Sequence, residues 1–146
     1  MSSHYQAFVE AVGPSESISR FKALVLDSGT DPQTLELSAD RACHVAFNAF
    51  TSGPVMNLAH QPPALLALCV EVAATLPNLV VRTQLVTECI YVEEAVYAGA
   101  TCVFSQSTED ILEDRSTDDR PPVIVHATEG CADAWRRACG IFHVQA

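Results

Sequence analysis

The stretch ADRACHVAFNAF, Ala39 to Phe50, decides how the fold of this chain is read from its sequence. Its apolar residues recur every three or four positions, which is the spacing that places side chains on one face of an α-helix. Ser38 precedes the stretch as an N-cap residue, and Gly53-Pro54 follows it as a stop signal. The pattern therefore predicts a core helix that carries His44 on its inner edge.

The same signals predict three further helices. Pro62-Pro63 begins one that runs to Leu76 and is apolar on most sides, so we expect it to be largely buried. A second covers Glu88 to Ala98, with Cys89, Val92 and Val96 facing inward. The third, CADAWRRAC, ends at Gly140.

Short apolar runs between these segments are interpreted as strands. The run Ala23 to Leu26 is bounded by turn residues and predicts a central strand buried on both faces. On that interpretation the change Leu24→Ala costs about 2–5 kcal/mol of stability. Three more strands are predicted, at Leu79 to Thr83, Thr101 to Ser105 and Val123 to Thr128.

Strands that alternate with helices predict an α/β three-layer sandwich, in which a mixed sheet of about four strands is flanked by helices. A chain of 146 residues fits a single domain, 1–146. Residues 1–16 are interpreted as a flexible N-terminal segment or a short helix that Gly13-Pro14 ends. Residues 106–121 are interpreted as an acidic, solvated loop, because six acids and two arginines lie between Glu109 and Arg120.

The charge balance limits the partners that this chain can bind. Eighteen acidic residues stand against eight basic ones, the formal net charge is −10 at pH 7, and Lys22 is the only lysine. Nucleic acids and acidic membranes are therefore unfavourable partners, because both attract clusters of Lys and Arg. The chain shows no leader sequence and no apolar run long enough to span a bilayer, so we expect a cytoplasmic protein. A mean hydropathy of +0.17 favours a homodimer or a protein partner that covers apolar surface.

Cysteine and histidine spacing predicts neither disulfides nor a metal site. The six cysteines form no C-x-x-C pair and lie mostly in apolar segments, so we expect reduced, buried thiols. The five histidines show none of the spacings of zinc sites, and no glycine pattern for binding phosphate is present. We therefore expect no cofactor.

Three stretches carry a resemblance to a known family: ADRACHVAFNAF as a helix, PNLVVRT as the second strand, and PPVIVHATEGCADAWRRACG as the last strand and helix. In this order the chain resembles the archaeal and eukaryotic (type II) peptidyl-tRNA hydrolases from about Phe21 to Val144. The resemblance implies a peptidyl-tRNA hydrolase II-like fold with His44 at the active centre. Three family positions differ, since the lysine, the glutamine and the loop aspartate of the family are Leu37, Arg41 and Gln106 here.

The loop after the predicted first strand supplies the other candidate site residues. Ligands of open α/β sheets bind beyond the carboxyl ends of strands, which would bring Asp27 or Asp31 to His44 as an acid–base pair. The candidate ligand-binding residues are Ser28, Thr30 and Arg41. The residues of this loop fit an ordinary turn equally well, and His44 fits a packed core histidine.

Two functional hypotheses follow from these residues. The first is a non-catalytic peptidyl-tRNA hydrolase II-like domain that acts as a binding or interaction module. The second is an active hydrolase of peptidyl-tRNA or another small ester, in which His44 works with Asp27 or Asp31. The loss of the family lysine and of the loop aspartate favours the first hypothesis.

We predict that the protein does not release peptides from tRNA at a useful rate. Its charge of −10 repels a polyanion, although salt screens that repulsion beyond about 8 Å. Leu37 cannot stabilise negative charge on the ester oxygen, and such a loss typically costs about 10²–10³ in rate. The measurement is cleavage of an acyl-aminoacyl-tRNA at low salt with excess protein. Turnover that disappears in His44→Ala would contradict the prediction.

Overall fold

The computed structural model describes residues 4–27, 35–52, 62–87, 91–107 and 127–142. Within these ranges the strands are β1 His4–Val12, β2 Leu35–Arg41, β3 His44–Ser52, β4 Val80–Thr87, β5 Tyr91–Ala98 and β6 Thr101–Ser107. The helices are α1 Ser15–Leu26, α2 Pro62–Ala74 and α3 Glu129–Phe142. The α/β class is confirmed, but the sheet has six strands rather than about four.

The strands form one sheet in the order β2-β3-β1-β4-β5-β6. Every neighbouring pair is antiparallel, so the predicted mixed sheet was wrong. The first six elements follow the β-α-β-β-α-β order of a split β-α-β unit, with β1 between β3 and β4. The β5-β6 hairpin extends the sheet beyond this unit. Its two-residue turn holds Gly99 at a φ of +61°, a conformation that favours glycine.

Side chains of β1 alternate between two cores because successive residues of a strand point to opposite faces. Ala7, Val9 and Ala11 lie in the core that contains α1 and α2, and we call this the α1/α2 face. Val12 lies in the other core, with buried residues of α3, and we call this the α3 face. Helices therefore cover both sides of the sheet.

The core of the α1/α2 face is apolar throughout. It consists of buried side chains from two helices, three strands and the turn before β4, namely Ala7, Val9, Ala11, Ile18, Phe21, Val25, Val45, Phe47, Ala49, Leu65, Cys69, Ala73, Leu76, Leu79 and Val81. Phe21 of α1 and Phe47 of β3 lie with their ring centroids 6.3 Å apart. Among the described helices, none is long and apolar enough to cross a membrane.

The core of the α3 face is smaller. Trp135, Cys131 and Cys139 of α3 pack there with Val80 and Val96 of the sheet. The helix contacts β4, β5 and β6. Its position leaves polar side chains of β1 and β3 on the α3 face, among them Glu10 and His44.

The stretch 39–50 is a β-hairpin, so the predicted core helix was wrong. Arg41 ends β2, a two-residue turn follows, and His44 begins β3. Val45, Phe47 and Ala49 are buried on the α1/α2 face, and the residues between them point to the α3 face. A spacing of four residues fits the period of a strand as well as that of a helix, and small alanines suit both, so the apolar pattern alone was ambiguous.

The predicted strand Ala23 to Leu26 was also wrong, because these residues form the last turn of α1. The buried apolar residues of that helix, Ile18, Phe21 and Val25, are spaced by three and four, which only a window longer than the four-residue run reveals. Leu24 points outward with 46% of its surface exposed. The large loss of stability that was expected for Leu24→Ala is therefore a wrong prediction as well.

Two other segments predicted as helical are strands. Residues 91–98 form β5, in which buried Val92, Glu94 and Val96 alternate with more exposed neighbours. The N-terminal segment, interpreted as flexible or a short helix, contains β1 at the centre of the sheet.

The other predicted elements agree more closely with the structure. The helix from Pro62 and the final helix are confirmed, although α3 begins at Glu129. The strands predicted at Leu79 to Thr83 and at Thr101 to Ser105 are confirmed as β4 and β6, although β4 begins at Val80 and both run further. Most of the predicted strand 123–128 lies outside the described residues, and 127–128 do not form one. Most of the acidic loop 106–121 also lies outside them, and Gln106 and Ser107 belong to β6.

We predict that Phe21→Ala lowers the free energy of unfolding by about 3–5 kcal/mol, because the ring is fully buried against the sheet. The matched control is Leu24→Ala on the same helix, which should cost less than about 1 kcal/mol because Leu24 is half exposed. Urea unfolding of both variants measures the difference. Equal costs would contradict this placement of α1.

Candidate functional site

His44 lies at the start of β3 and points to the α3 face. Its Nε2 is 2.7 Å from Oε2 of Glu10 on β1, and its side chain is 29% exposed. The strand alternation brings the two side chains together, because Glu10 stands opposite Ala46, the next residue of β3 on the same face. Burial and a carboxylate contact therefore orient the imidazole in one direction.

Glu10 also holds a cation on its other side. Nε of Arg82 on β4 donates to Oε1 of Glu10 at 3.2 Å, and Arg82 is only 5% exposed. The Arg82 guanidinium lies 4.8 Å from the centre of the Phe8 ring, within the range of a cation–π contact. His44, Glu10 and Arg82 thus form a line of contacts across β3, β1 and β4, which we call the charged row.

The structure brings together only part of the predicted site. Arg41 lies at the end of β2, paired with His44 across the hairpin, and it is exposed. Asp27 caps the C-terminal end of α1 on the opposite face of the sheet, so it does not meet His44. Ser28, Thr30 and Asp31 lie outside the described residues.

Glu10 was the residue that the sequence analysis missed. The alternation of side chains in YQAFVEAV could have indicated it, because Ala7, Val9 and Ala11 share one face of a strand and Glu10 lies on the other. The interpretation of residues 1–16 as flexible or helical hid this alternation. A strand there would have placed an acid beside the basic residues of neighbouring strands.

A second polar cluster surrounds Glu94 of β5, which is 1% exposed. Gln84 Nε2 donates to one carboxylate oxygen at 3.3 Å, and Gln106 Nε2 donates to the other at 2.9 Å. The hydroxyl of Thr128 donates to Glu94 Oε1 at 2.6 Å, and the Thr128 amide donates to Oε2 at 3.4 Å. The Thr128 hydroxyl oxygen in turn accepts a hydrogen bond from the backbone amide of Cys131, as the side chain of an N-cap residue does. Glu94 therefore fastens the N-terminus of α3 to the sheet.

The thiols near these clusters are poor nucleophiles. Burial, with the nearby Glu94 carboxylate as the next cause, raises the pKa of Cys131 to about 12. Burial, and to a smaller extent the charge of the Glu10 carboxylate, raises the pKa of the Cys139 thiol to about 11. Both thiols are therefore protonated at neutral pH. Within the described ranges, no group of three His, Cys, Asp or Glu side chains lies in position to hold a metal ion.

A concave surface lies elsewhere among the described residues, on the α1/α2 face. There α1 packs on β3 and α2 packs mainly on β1 and β4. An open cleft of about 900 Å³ lies between α2 and the outer strands β5 and β6, and we call it the α2 cleft. It is lined by residues of α2 and of the last three strands, namely Leu66, Ala67, Val70, Glu71, Thr83, Leu85, Glu93, Glu94, Ala95, Tyr97, Ser105, Gln106 and Ser107.

The α2 cleft combines an apolar floor with acidic groups. Leu66 and Leu85 are partly buried apolar residues packed against the core. Glu71 on α2 and Glu93 on β5 are exposed acids among the described residues that line the cleft. Burial raises the pKa of the Tyr97 hydroxyl, with smaller contributions from Cys102 and Glu93. The cleft therefore combines apolar and polar surface.

We predict that Glu94→Ala lowers the free energy of unfolding by about 3 kcal/mol or more. The change leaves the amides of Gln84 and Gln106 without their carboxylate, and hydrogen bonds to a buried charged group are worth about 1.5–3 kcal/mol each. The matched control is Ala at Glu71, which is exposed on α2 and should cost less than about 1 kcal/mol. Urea unfolding measures both. A cost for Glu94→Ala no larger than that of Glu71→Ala would contradict the described network.

The comparisons with known proteins do not assign this chain to a family. One of the three stretches that carried the resemblance to type II peptidyl-tRNA hydrolases, 39–50, is a hairpin rather than a helix. No family model, curated protein or solved structure matches the chain. Its function is therefore argued from its own geometry.

Proposed function

We propose that this protein is a non-catalytic binding module and that its ligand occupies the α2 cleft. The observation that carries the proposal is the part of the α1/α2 face that β5 and β6 form, because no described helix lies over these two strands there. The cleft there has a volume of about 900 Å³, which lies in the range of ligand-binding sites. Apolar residues of its lining, among them Leu66 and Leu85, suit a ligand with an apolar side.

The chemistry of the charged row supports binding over catalysis. Glu10 accepts a contact from His44 on one oxygen and from Arg82 on the other, so its carboxylate is shared between two partners on neighbouring strands. Such a contact holds strands in register and orients side chains. The buried thiols of α3 add no nucleophile, because their pKa values lie at about 11 and about 12.

A second candidate function is hydrolysis of a small ester. The specific observation in its favour is the 2.7 Å contact between His44 and Glu10, because a carboxylate beside an imidazole is an arrangement found in general bases. On this alternative Glu10 takes the role that the sequence assigned to Asp27 or Asp31. Exposed Arg41 lies across the hairpin and would bind a negatively charged part of the substrate.

We predict that an uncharged apolar dye, Nile red, binds to the α2 cleft and gains fluorescence there. Ala67→Trp places a large ring in the cleft and should abolish most of this gain, since Ala67 is exposed and lines it. The matched control is Ala23→Trp, an equal change at an exposed position of α1 away from the cleft. An equal effect of both variants, or no binding to the native protein, would contradict the proposal.

The hydrolase alternative is tested on the same protein preparations. Hydrolysis of p-nitrophenyl acetate is measured for the native protein, for His44→Gln and for Glu10→Gln. Binding without catalysis predicts equal rates for all three, each no faster than free imidazole at matched concentration. A rate that falls at least about tenfold in both variants would favour the hydrolase, because loss of a general base typically costs about 10²–10⁴.

A further inference from the structure

We infer that the ligand of the α2 cleft is an uncharged, planar aromatic compound with an oxygen atom that accepts a hydrogen bond from Thr83. This inference rests on the proposed function and names the chemical class of the ligand for the same site. The shape of the floor, the apolar sides of the cleft and the buried Thr83 hydroxyl each support it.

The floor of the cleft includes a row of small side chains from neighbouring strands. Strand pairing places Thr83 of β4 opposite Ala95 of β5, and Ala95 opposite Ser105 of β6. All of them line the cleft, because cross-strand partners share one face of a sheet. Neighbouring strands lie about 4.8 Å apart, so the row extends about 10 Å across the sheet. A flat molecule fits such a floor, since small side chains project little above the backbone.

Larger side chains stand on both sides of this row. Leu85 lies two residues from Thr83 on β4, and Tyr97 lies two residues from Ala95 on β5, in the opposite direction across the sheet. Residues two apart along a strand are separated by about 6.8 Å, so the rows of Leu85 and Tyr97 lie about 13 Å apart. A fused pair of aromatic rings can therefore lie between them.

The sides of the cleft offer apolar and aromatic contacts. Leu66 and Val70 stand four residues apart on α2 and form one wall. Leu66, Leu85 and Tyr97 are partly buried and pack against the core. Aromatic pairs gain more than their buried area alone provides, so the Tyr97 ring favours an aromatic ligand. Burying a charge among these side chains would cost its hydration, so they favour an uncharged one.

Thr83 supplies the hydrogen-bonding group. It is only 7% exposed, yet it lines the cleft. Its hydroxyl forms no hydrogen bond with another residue that the structure describes. Buried hydroxyl groups ordinarily have a partner, because burial removes them from water. An oxygen atom of the ligand would supply that partner, since a hydroxyl donates to an oxygen acceptor.

The experiment measures the affinity of the full chain for naphthol, methylnaphthalene and decanol by equilibrium dialysis. The compounds have equal numbers of non-hydrogen atoms. Naphthol is planar and carries an oxygen, methylnaphthalene is planar and carries none, and decanol carries its oxygen on a flexible chain. The hydrogen bond and the planar shape are therefore tested separately.

Thr83→Val tests the hydrogen bond, because it replaces the hydroxyl with a methyl group of similar size. The change should weaken binding of naphthol about fivefold, as loss of one hydrogen bond does, and should alter binding of methylnaphthalene by less than about twofold. The matched control is Thr101→Val, an equal change at an exposed position of β6 that does not line the cleft. It should leave both affinities unchanged.

Ala95→Leu tests the shape, because it raises the middle of the floor. Binding of naphthol should weaken about tenfold, whereas decanol can bend around the added side chain and should lose less than about threefold. Ala39→Leu, an equal change on β2, should leave both affinities unchanged. If circular dichroism shows that Ala95→Leu does not fold, Ala95→Val makes a smaller change of the same kind, which strands accommodate well.

The results distinguish failure of this inference from failure of the proposed function. Equal effects of Thr83→Val on naphthol and methylnaphthalene, or of Ala95→Leu on naphthol and decanol, would overturn the inference. If Nile red binds at the cleft but naphthol does not, the binding module stands and the aromatic ligand is wrong. If neither compound binds, both proposals are wrong. A dimer that sedimentation detects in the native protein but not in Ala67→Trp would show a second copy as the occupant and would also overturn the inference.

Discussion

The pairing of β1 with β3 on one side and β4 on the other is the constraint on which the rest of the structure depends. Because β1 is paired along both edges, its alternating side chains face two different environments. Ala7, Val9 and Ala11 enter an apolar core under α1 and α2. Glu10 points the opposite way, where His44 and Arg82 meet it. A shift of one residue in β1 would exchange these two sets of side chains and place a carboxylate in the apolar core.

The two faces of the sheet are stabilised by different kinds of interaction. The α1/α2 face depends on burial of apolar area, as the large cluster around Phe21 and Phe47 indicates. The α3 face combines a smaller apolar cluster with the buried Glu94 carboxylate, which accepts several hydrogen bonds. Buried charges of this kind add little net stability, but loss of one partner leaves the other uncompensated. The polar contacts of Glu94 therefore specify where α3 begins more than they hold the fold together.

Unequal coverage of the sheet connects the fold to the proposed function. The split β-α-β unit has two helices on one face, which contact its strands β1, β3 and β4. The added β5-β6 hairpin widens the sheet without adding a described helix on that face. Its other side is covered by α3, which holds the hairpin in place, and no described helix lies on its α1/α2 side. The α2 cleft is thus a consequence of topology.

The sequence by itself determined the α/β class, the helix from Pro62, the final helix and the strands β4 and β6, because Pro and Gly signals and β-branched runs mark these elements locally. It did not determine the secondary structure of residues 39–50 or of the residues that form β5. Apolar residues four positions apart, such as Val92 and Val96, satisfy the period of a strand and of a helix alike. Only pairing with neighbouring strands decided between the two, since a strand needs partners distant in sequence. The contact between His44 and Glu10 was decided in the same way, because strand pairing brings together residues 34 positions apart.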